Sequence, residues 1–185
     1  MLEPKNIFVT GRPGVGKTTA ILKAIELLDF EVNGFTTSEI REGGTRAGFR
    51  IKDLTGGEAV LAHVDVRGRH RVGKYGVNAH AVETVAIPAL KKALERRTPA
   101  IVDEVGKMEL SVPLFVETLM EVINSEVPIL GTMHKGADAT SDAIRAREDS
   151  LVIEITHANR NDLAQRLAEL LRAACERSEP FIPPP

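Results

Sequence analysis

A chain of 185 residues, 43% hydrophobic and 27% charged, has the composition of a globular protein with room for one domain and a small appendage. Its 24 Lys and Arg balance 26 Asp and Glu for a formal charge of −2, and with no Trp, one Tyr and six Phe it lacks the basic excess and the aromatic platforms of a nucleic-acid binder. No apolar run approaches the roughly 20 residues of a membrane span, and the one cysteine, Cys175, has no internal disulfide partner, so a reducing compartment is expected. Residues 1–5 lead into the first strand without the pattern of a signal peptide, and a cytoplasmic location is expected with it.

Ile7, Phe8 and Val9 form a short continuous apolar run, the pattern of a strand covered on both faces. Residues 18–28 place Ile21, Leu22, Ile25 and Leu28 three and four apart, which predicts an amphipathic helix. Residues 34–37 read as a turn into a second strand that runs through Ile40, and Glu42, Gly43 and Gly44 as a loop. Segments 47–54 and 58–64 flank Thr55-Gly56-Gly57 and read as a β-hairpin. A strand–helix–strand pattern does not require that hairpin, so it is expected as an insertion, about 47–64, on the edge of the main sheet.

Residues 65–78, rich in Gly and basic side chains, read as loop. Asn78 is placed to cap a helix over 79–97 with Val82, Val85, Ala86, Leu90 and Leu94 on one side and a kink at Pro88. Residues 100–103 predict a buried strand ending in a carboxylate. Ser111 as cap, with Pro113 in the first turn, predicts the next helix. Further on, 127–132 reads as a strand, 138–148 as a helix and 151–155 as a strand. The final helix, 161–177, turns Leu163, Leu167, Leu170, Leu171 and Ala174 inward. Residues 1–179 are expected as a single domain and 180–185 as an extended tail. The alternation predicts an α/β fold with a parallel sheet.

Gly11-Arg12-Pro13-Gly14-Val15-Gly16-Lys17-Thr18 matches G-x-x-x-x-G-K-[ST] without a gap, between an apolar strand and an amphipathic helix. Glycines let the backbone wrap a phosphate so that several N–H groups converge on its oxygens, and the helix start adds the positive end of its dipole. Lys17 is placed to reach the β- and γ-phosphates and the Thr18 hydroxyl to bind Mg²⁺. Pro13 stiffens the loop. Arg12 either touches a phosphate or faces solvent, and Thr19 follows the α-phosphate. These residues form a nucleoside-triphosphate site.

Strand C-termini share one edge of a doubly wound sheet, and ligands bind along it. Asp103 ends its strand there and is the expected holder of Mg²⁺, through water, in the role called Walker B. Glu104 follows and is placed to orient or deprotonate water over the γ-phosphate. A Glu directly after that Asp is typical of P-loop ATPases with an extra strand between the phosphate-loop strand and the acidic strand. It favours the RecA-like order 5-1-4-3-2, with 127–132 as the intervening strand. That strand ends in Thr132-Met133-His134-Lys135, where a polar sensor of the γ-phosphate can sit.

At this point the chain resembles the small P-loop nucleoside-triphosphatases of thermophiles, the family of the cancer-related nucleoside-triphosphatase. The resemblance rests on Gly11 through Thr19, Val32-Asn33-Gly34-Phe35-Thr36-Thr37, Gly48-Phe49, Arg71-Val72-Gly73-Lys74-Tyr75-Gly76-Val77 and Ile129-Leu130-Gly131-Thr132. It also takes in Ile101-Val102-Asp103-Glu104-Val105-Gly106-Lys107-Met108-Glu109-Leu110 and Asn159-Arg160-Asn161. It implies Mg²⁺-dependent hydrolysis of ATP, GTP and other nucleoside triphosphates to diphosphate and phosphate. By the same resemblance, nucleotide contacts fall on Gly11 to Thr18 and on Ile101, Val102, Asp103, Glu104, Val105, Gly106, Lys107 and Met108.

Nothing matches the N-K-x-D motif that reads guanine, so weak discrimination among ATP, GTP, CTP and UTP is expected. Asn159 or Asn161 either lies near the base or caps the final helix. From Asp65 to Lys74 four Lys and Arg face one Asp, and this segment reads as a solvated loop, a lid or a nucleic-acid contact. Arg67, Arg69 and Arg71, with Arg145 and Arg147, are the candidates for an arginine finger, and Lys107 is either a phosphate contact or an exposed turn residue. A nucleoside or nucleotide kinase, a nucleotide-dependent switch and a nucleic-acid-associated ATPase are the alternatives to a stand-alone hydrolase. Nucleoside triphosphates are the expected partners; neither a membrane nor a nucleic acid is expected, and no protein partner is indicated.

Overall fold

Alternation along the first strand sets the layering. In a computed structural model, which describes residues 4–178, β1 (Asn6–Thr10) sends Phe8 into one apolar cluster and Ile7 and Val9 into another, all three fully buried. Successive side chains of a strand point to opposite faces, so a run of three apolar residues requires cover on both.

The chain continues through α1 (Lys17–Glu26), β2 (Asn33–Glu42), β3 (Thr45–Asp53), β4 (Glu58–His63), β5 (Arg71–Val72) and β6 (Tyr75–Val77). Next come α2 (Ala79–Ala81), a π-turn at Val82–Ala86, α3 (Ile87–Arg96), β7 (Ala100–Val105), a 3₁₀ turn at Glu109–Ser111 and α4 (Pro113–Asn124). The remaining elements are β8 (Ile129–Met133), α5 (Ala139–Arg145), β9 (Ser150–Glu154) and α6 (Leu163–Arg177). The tail expected over 180–185 lies outside the described residues. No helix among those described is long and apolar enough to cross a membrane.

The nine strands of the described residues join one mixed sheet, in the order β5-β6-β4-β3-β2-β7-β8-β1-β9. From β2 to β9 neighbouring strands run parallel. From β2 to β5 they run antiparallel and form a wing. One face of the parallel half packs Ile7, Val9, Ile101 and Leu130 against Ile21 and Ala24 of α1 and Leu167 and Leu171 of α6. The other packs Phe8, Phe35, Val102 and Ile129 against Leu90 of α3 and Phe115 and Leu119 of α4. Phe35 and Phe115 meet edge to face at 5.9 Å, worth about 0.5–1.5 kcal/mol beyond their burial.

The wing departs from expectation. Segment 47–64 does form the antiparallel pair β3–β4, but that pair is not at the edge: β3 also pairs with β2 along most of its length, and β5 and β6 extend the sheet beyond β4. Segment 65–78, read as loop, therefore holds two short strands. Arg46 of β3 sits over the rings of Phe49 at 5.2 Å and Tyr75 at 5.9 Å and donates from Nε to the Tyr75 hydroxyl at 3.0 Å. The chain's only tyrosine is thus consumed in packing the wing.

Three helix starts also differ. Ser111 does not cap α4; Val112 takes that position, and the Ser111 hydroxyl donates to the Met108 carbonyl at 2.7 Å. Asn78 does stand at the cap position of α2, but its side chain makes no capping bond, its Nδ2 donating instead to the Val60 carbonyl at 3.0 Å. Neither Asn159 nor Asn161 caps α6, which begins after Asp162. The expected kink at Pro88 takes the form of the π-turn, a widened turn placed just before the residue that lacks an N–H.

Candidate active site

After Thr10 the chain leaves β1 and does not become helical until Lys17. Between them Gly14 and Gly16 have φ of 75° and 112°, a region that only glycine occupies without strain. Gly16 stands at the start of α1, and no side chain caps that helix. The first-turn N–H groups of α1 therefore face the loop with the positive end of the helix dipole, the arrangement that receives an anion. Val15 turns inward to the cluster shared by α1 and α6 and pins the loop, while Arg12, Pro13 and Gly14 form its exposed rim. Thr19 is exposed on the first turn of α1. Lys17 reaches back across the loop, Nζ donating to the Gly11 carbonyl at 3.3 Å.

Opposite the loop stands β7. Parallel pairing of β7 with both β2 and β8 brings Asp103 between the polar ends of those strands. Asp103 is fully buried and gathers three donors: the Thr132 hydroxyl to Oδ1 at 2.5 Å, the Thr18 hydroxyl to Oδ1 at 3.2 Å and the Thr37 backbone N–H to Oδ2 at 3.4 Å. Burial pushes its carboxyl above the ordinary range, and the hydrogen bonds of Thr132, Thr18 and Thr37 with the charge of Lys17 oppose that shift. Glu104 is half-buried beside it. Burial raises Glu104 as well, Lys17 works against the rise, and the neighbouring Asp103 adds to it.

Ile101, Val102 and Val105, expected by resemblance among the nucleotide contacts, have fully buried side chains in the core. Ile101 faces α1 and α6, and the other two face α3 and α4. Lys107 is exposed, and Met108 packs against the core. A third carboxyl lies close by that sequence reasoning did not single out. Glu109 is only 3% exposed, and its carboxyl lies against Gly106. Its one signal in the sequence is a charge between two apolar residues, Met108 and Leu110, where a surface turn would face solvent.

His134 follows β8 and is held on two sides. Its Nδ1 accepts from the Gly136 N–H at 3.1 Å, so Nε2 carries the hydrogen directed at Asp138 Oδ2, 2.6 Å away. Asp138 in turn caps α5 by accepting from the Ser141 N–H at 2.9 Å. Asn159 serves the turn after β9: its Oδ1 accepts from the Thr156 N–H at 2.8 Å and its Nδ2 donates to the Glu154 carbonyl at 2.9 Å.

With loop, lysine, threonine and two carboxylates on one sheet edge described, comparisons with known proteins show the family. The model of a family described as NTPase matches residues 6–168. The chain is 40% identical over 166 residues to the nucleoside-triphosphatase THEP1 of Thermotoga maritima, covering 90% of this chain and 95% of that protein. It is 46% identical over 133 residues to the THEP1 of Methanocaldococcus jannaschii, covering 70% of this chain and 78% of that one. Among solved structures, THEP1 from the hyperthermophile Aquifex aeolicus superimposes with a TM-score of 0.82 at 33% identity, over 90% of this chain and 98% of its own. A human cancer-related nucleoside triphosphatase gives 0.76 at 36%, over 94% and 98%. This chain is an enzyme of the NTPase family.

Within this family member the five arginines weighed for a finger separate by position. Arg147 is removed: it grips Asp149 through Nε and Nη2 at 2.8 and 2.9 Å and donates to Asn124 Oδ1 at 2.8 Å. Asp149 lies where β1 and β9 begin, the edge opposite the phosphate loop. Arg145 is on the correct edge, but it donates to the carbonyls of His134 and Gly136 at 3.0 and 3.3 Å and straps the turn after β8. Arg67, Arg69 and Arg71 are exposed on the wing. Arg71 lies in β5, seven strand steps of ~4.8 Å from β1 and so roughly 34 Å from the loop along the sheet, and Arg67 and Arg69 lead into that strand.

Proposed function

We propose that this chain hydrolyses nucleoside 5′-triphosphates to nucleoside diphosphate and phosphate, using Mg²⁺ and discriminating little among bases. The observation that carries this reading is the hydrogen-bonded meeting of Thr18 with Asp103 at the mouth of the phosphate loop, with Glu104 next in the chain and acted on by the charge of Lys17. One hydroxyl and one buried carboxylate, both oxygen donors, suit a Mg²⁺ that takes its remaining ligands from phosphates and water. Thr18 would hold the ion directly and Asp103 through water; Mg²⁺ supplies charge neutralisation at the β- and γ-phosphate oxygens.

The protein's own groups do the rest. N–H groups of the loop and of the first turn of α1 hold the phosphates, and Lys17 leaves the Gly11 carbonyl to meet charge spreading over the transferred group. Thr132 donates to Asp103 Oδ1, the same oxygen that Thr18 meets, and so fixes that oxygen toward the loop. Glu104 accepts a hydrogen bond from the attacking water and takes its proton; its raised proton affinity makes it a better acceptor than a solvated carboxylate. Broad base tolerance is supported by the missing N-K-x-D motif and by Asn159, whose amide is engaged within its own turn. The parallel order β9-β1-β8-β7-β2 supports assignment to the RecA-like group, with the chain as one domain whose wing carries the antiparallel extension.

Phosphate release from ATP, GTP, CTP and UTP, with Mg²⁺ and with EDTA, tests the reading. Loss of turnover in EDTA and kcat/KM values within about tenfold across the bases are expected, whereas a preference of about a thousandfold for one base removes the tolerance. Release into water without an acceptor separates hydrolysis from phosphoryl transfer to a second substrate. Glu104→Gln should lower kcat by about a hundredfold or more with nucleotide affinity nearly unchanged. Turnover within a factor of about two of wild type takes the water-handling role away from Glu104.

A further inference from the structure

Glu109 sits in the 3₁₀ turn that follows β7, in the wall of the site, and it has no place in the chemistry described above. Its carboxyl folds back onto the turn and lies against Gly106. The Gly106 carbonyl is tied in the same turn, accepting from the Leu110 N–H at 2.9 Å. Gly106 is therefore bonded through its carbonyl and covered by the Glu109 carboxyl, two residues after Glu104. Gly106 has no positive φ to account for a glycine there. What it lacks is a side chain: a Cβ on Gly106 would lie 3.0 Å from Glu109 Oε2, 3.5 Å from Glu104 Cγ and 3.7 Å from Glu104 Cδ. The two glutamates share the space that this Cβ would fill. On the far side of the turn Met108 and Leu110 pack against the core, so the turn has an apolar floor and Glu109 as its polar clasp.

We propose that Glu109 is a positioning residue for hydrolysis: by lying against Gly106 it fixes the turn that aims the Glu104 carboxyl, and Gly106 is the gap that admits both carboxyl groups. The proposal rests on the reading of Glu104 as the residue that handles water. A residue that aims the water-handling group acts on the chemical step and leaves nucleotide binding to the loop on the other side of the site.

The test measures kcat and KM for ATP, with nucleotide Kd, in Glu109→Ala, Glu109→Gln, Gly106→Ala, Glu104→Gln and the double variant Glu104→Gln with Glu109→Ala. Glu109→Ala is expected to lower kcat about tenfold or more while KM and Kd stay within about twofold. Glu109→Gln, which keeps the size and an acceptor oxygen against Gly106, should recover most of that loss, to within about threefold of wild type. Gly106→Ala should lower kcat as Glu109→Ala does, because its methyl group displaces one of the two carboxyls. In the Glu104→Gln background, Glu109→Ala should add less than about a twofold further loss, since both act through one group.

The proposal is overturned if Glu109→Ala keeps kcat within about twofold, if Glu109→Gln falls as far as Glu109→Ala, or if KM rises in step with the fall in kcat. Should Glu109→Ala not fold, Glu109→Gln and Gly106→Ala decide: full activity in Gly106→Ala overturns the gap. If Glu104→Gln itself stays active, the reading of Glu104 fails and the clasp with it. If Glu104→Gln is inactive and the Glu109 and Gly106 variants are unimpaired, the clasp alone fails.

Discussion

Three carboxyl groups close together, with Lys17 as the cation bearing on two of them, are an unfavourable arrangement until the protonation of each is considered. Burial raises Glu109 from 4.5 to about 8, and the charges of Glu104 and Asp103 add to the shift. Its folded-state pKa lies above the unfolded value, so its contribution to stability is fully present below about pH 4.5 and is lost as pH rises through about 8. Glu109→Gln cannot ionise. Its thermal midpoint should gain on that of wild type between pH 5 and pH 8, and a difference between the two that is independent of pH would contradict the linkage. Thr132 offers a second test. Thr132→Val keeps the shape but removes a donor from a fully buried carboxylate, which should cost about 1–3 kcal/mol in chemical denaturation, with Thr132→Ser close to wild type. Cys175, only 4% exposed and with its thiol pushed up to about 12 by burial, should resist thiol reagents until the protein is unfolded.

At the scale of elements, contiguous patterns were legible and pairings were not. The apolar run at Ile7, the glycine loop and the three–four spacing of α1 occur within a few residues of one another, and the structure has them where spacing placed them. The wing was only half legible. Short strands such as β5 and β6, of two and three residues, carry no periodicity to detect and exist because β4 offers them an open edge. Caps failed for a related reason: Ser111 and Asn78 are proper capping residues whose side chains found other backbone partners once the chain was folded. Asp138 does cap its helix while also holding His134. Asp138→Ala should therefore cost about 1 kcal/mol of stability from the lost cap. It should also loosen the turn after β8, visible as faster amide exchange at residues 134–138.

Across the whole molecule, near-neutral net charge conceals a division by edge. Lys17, Asp103 and Glu104 share the edge where the parallel strands end, and the tight cluster of Lys5, Arg147 and Asp149 occupies the edge where β1 and β9 begin. Arg147→Ala should accordingly lower stability and leave turnover within about twofold of wild type; a fall in kcat of a hundredfold, the scale of a lost catalytic group, would return it to the site. The sequence by itself determined the phosphate loop, the pair Asp103-Glu104 and the alternation of strand and helix, because each is a matter of neighbours along the chain. Only the tertiary structure decided that Thr132 would hold Asp103 across a separation of 29 residues. It alone also placed Arg147 on the wrong edge and made Glu109 a third carboxyl of the site. Those outcomes depend on which strands lie side by side and which way a turn closes, and no spacing along the chain encodes them.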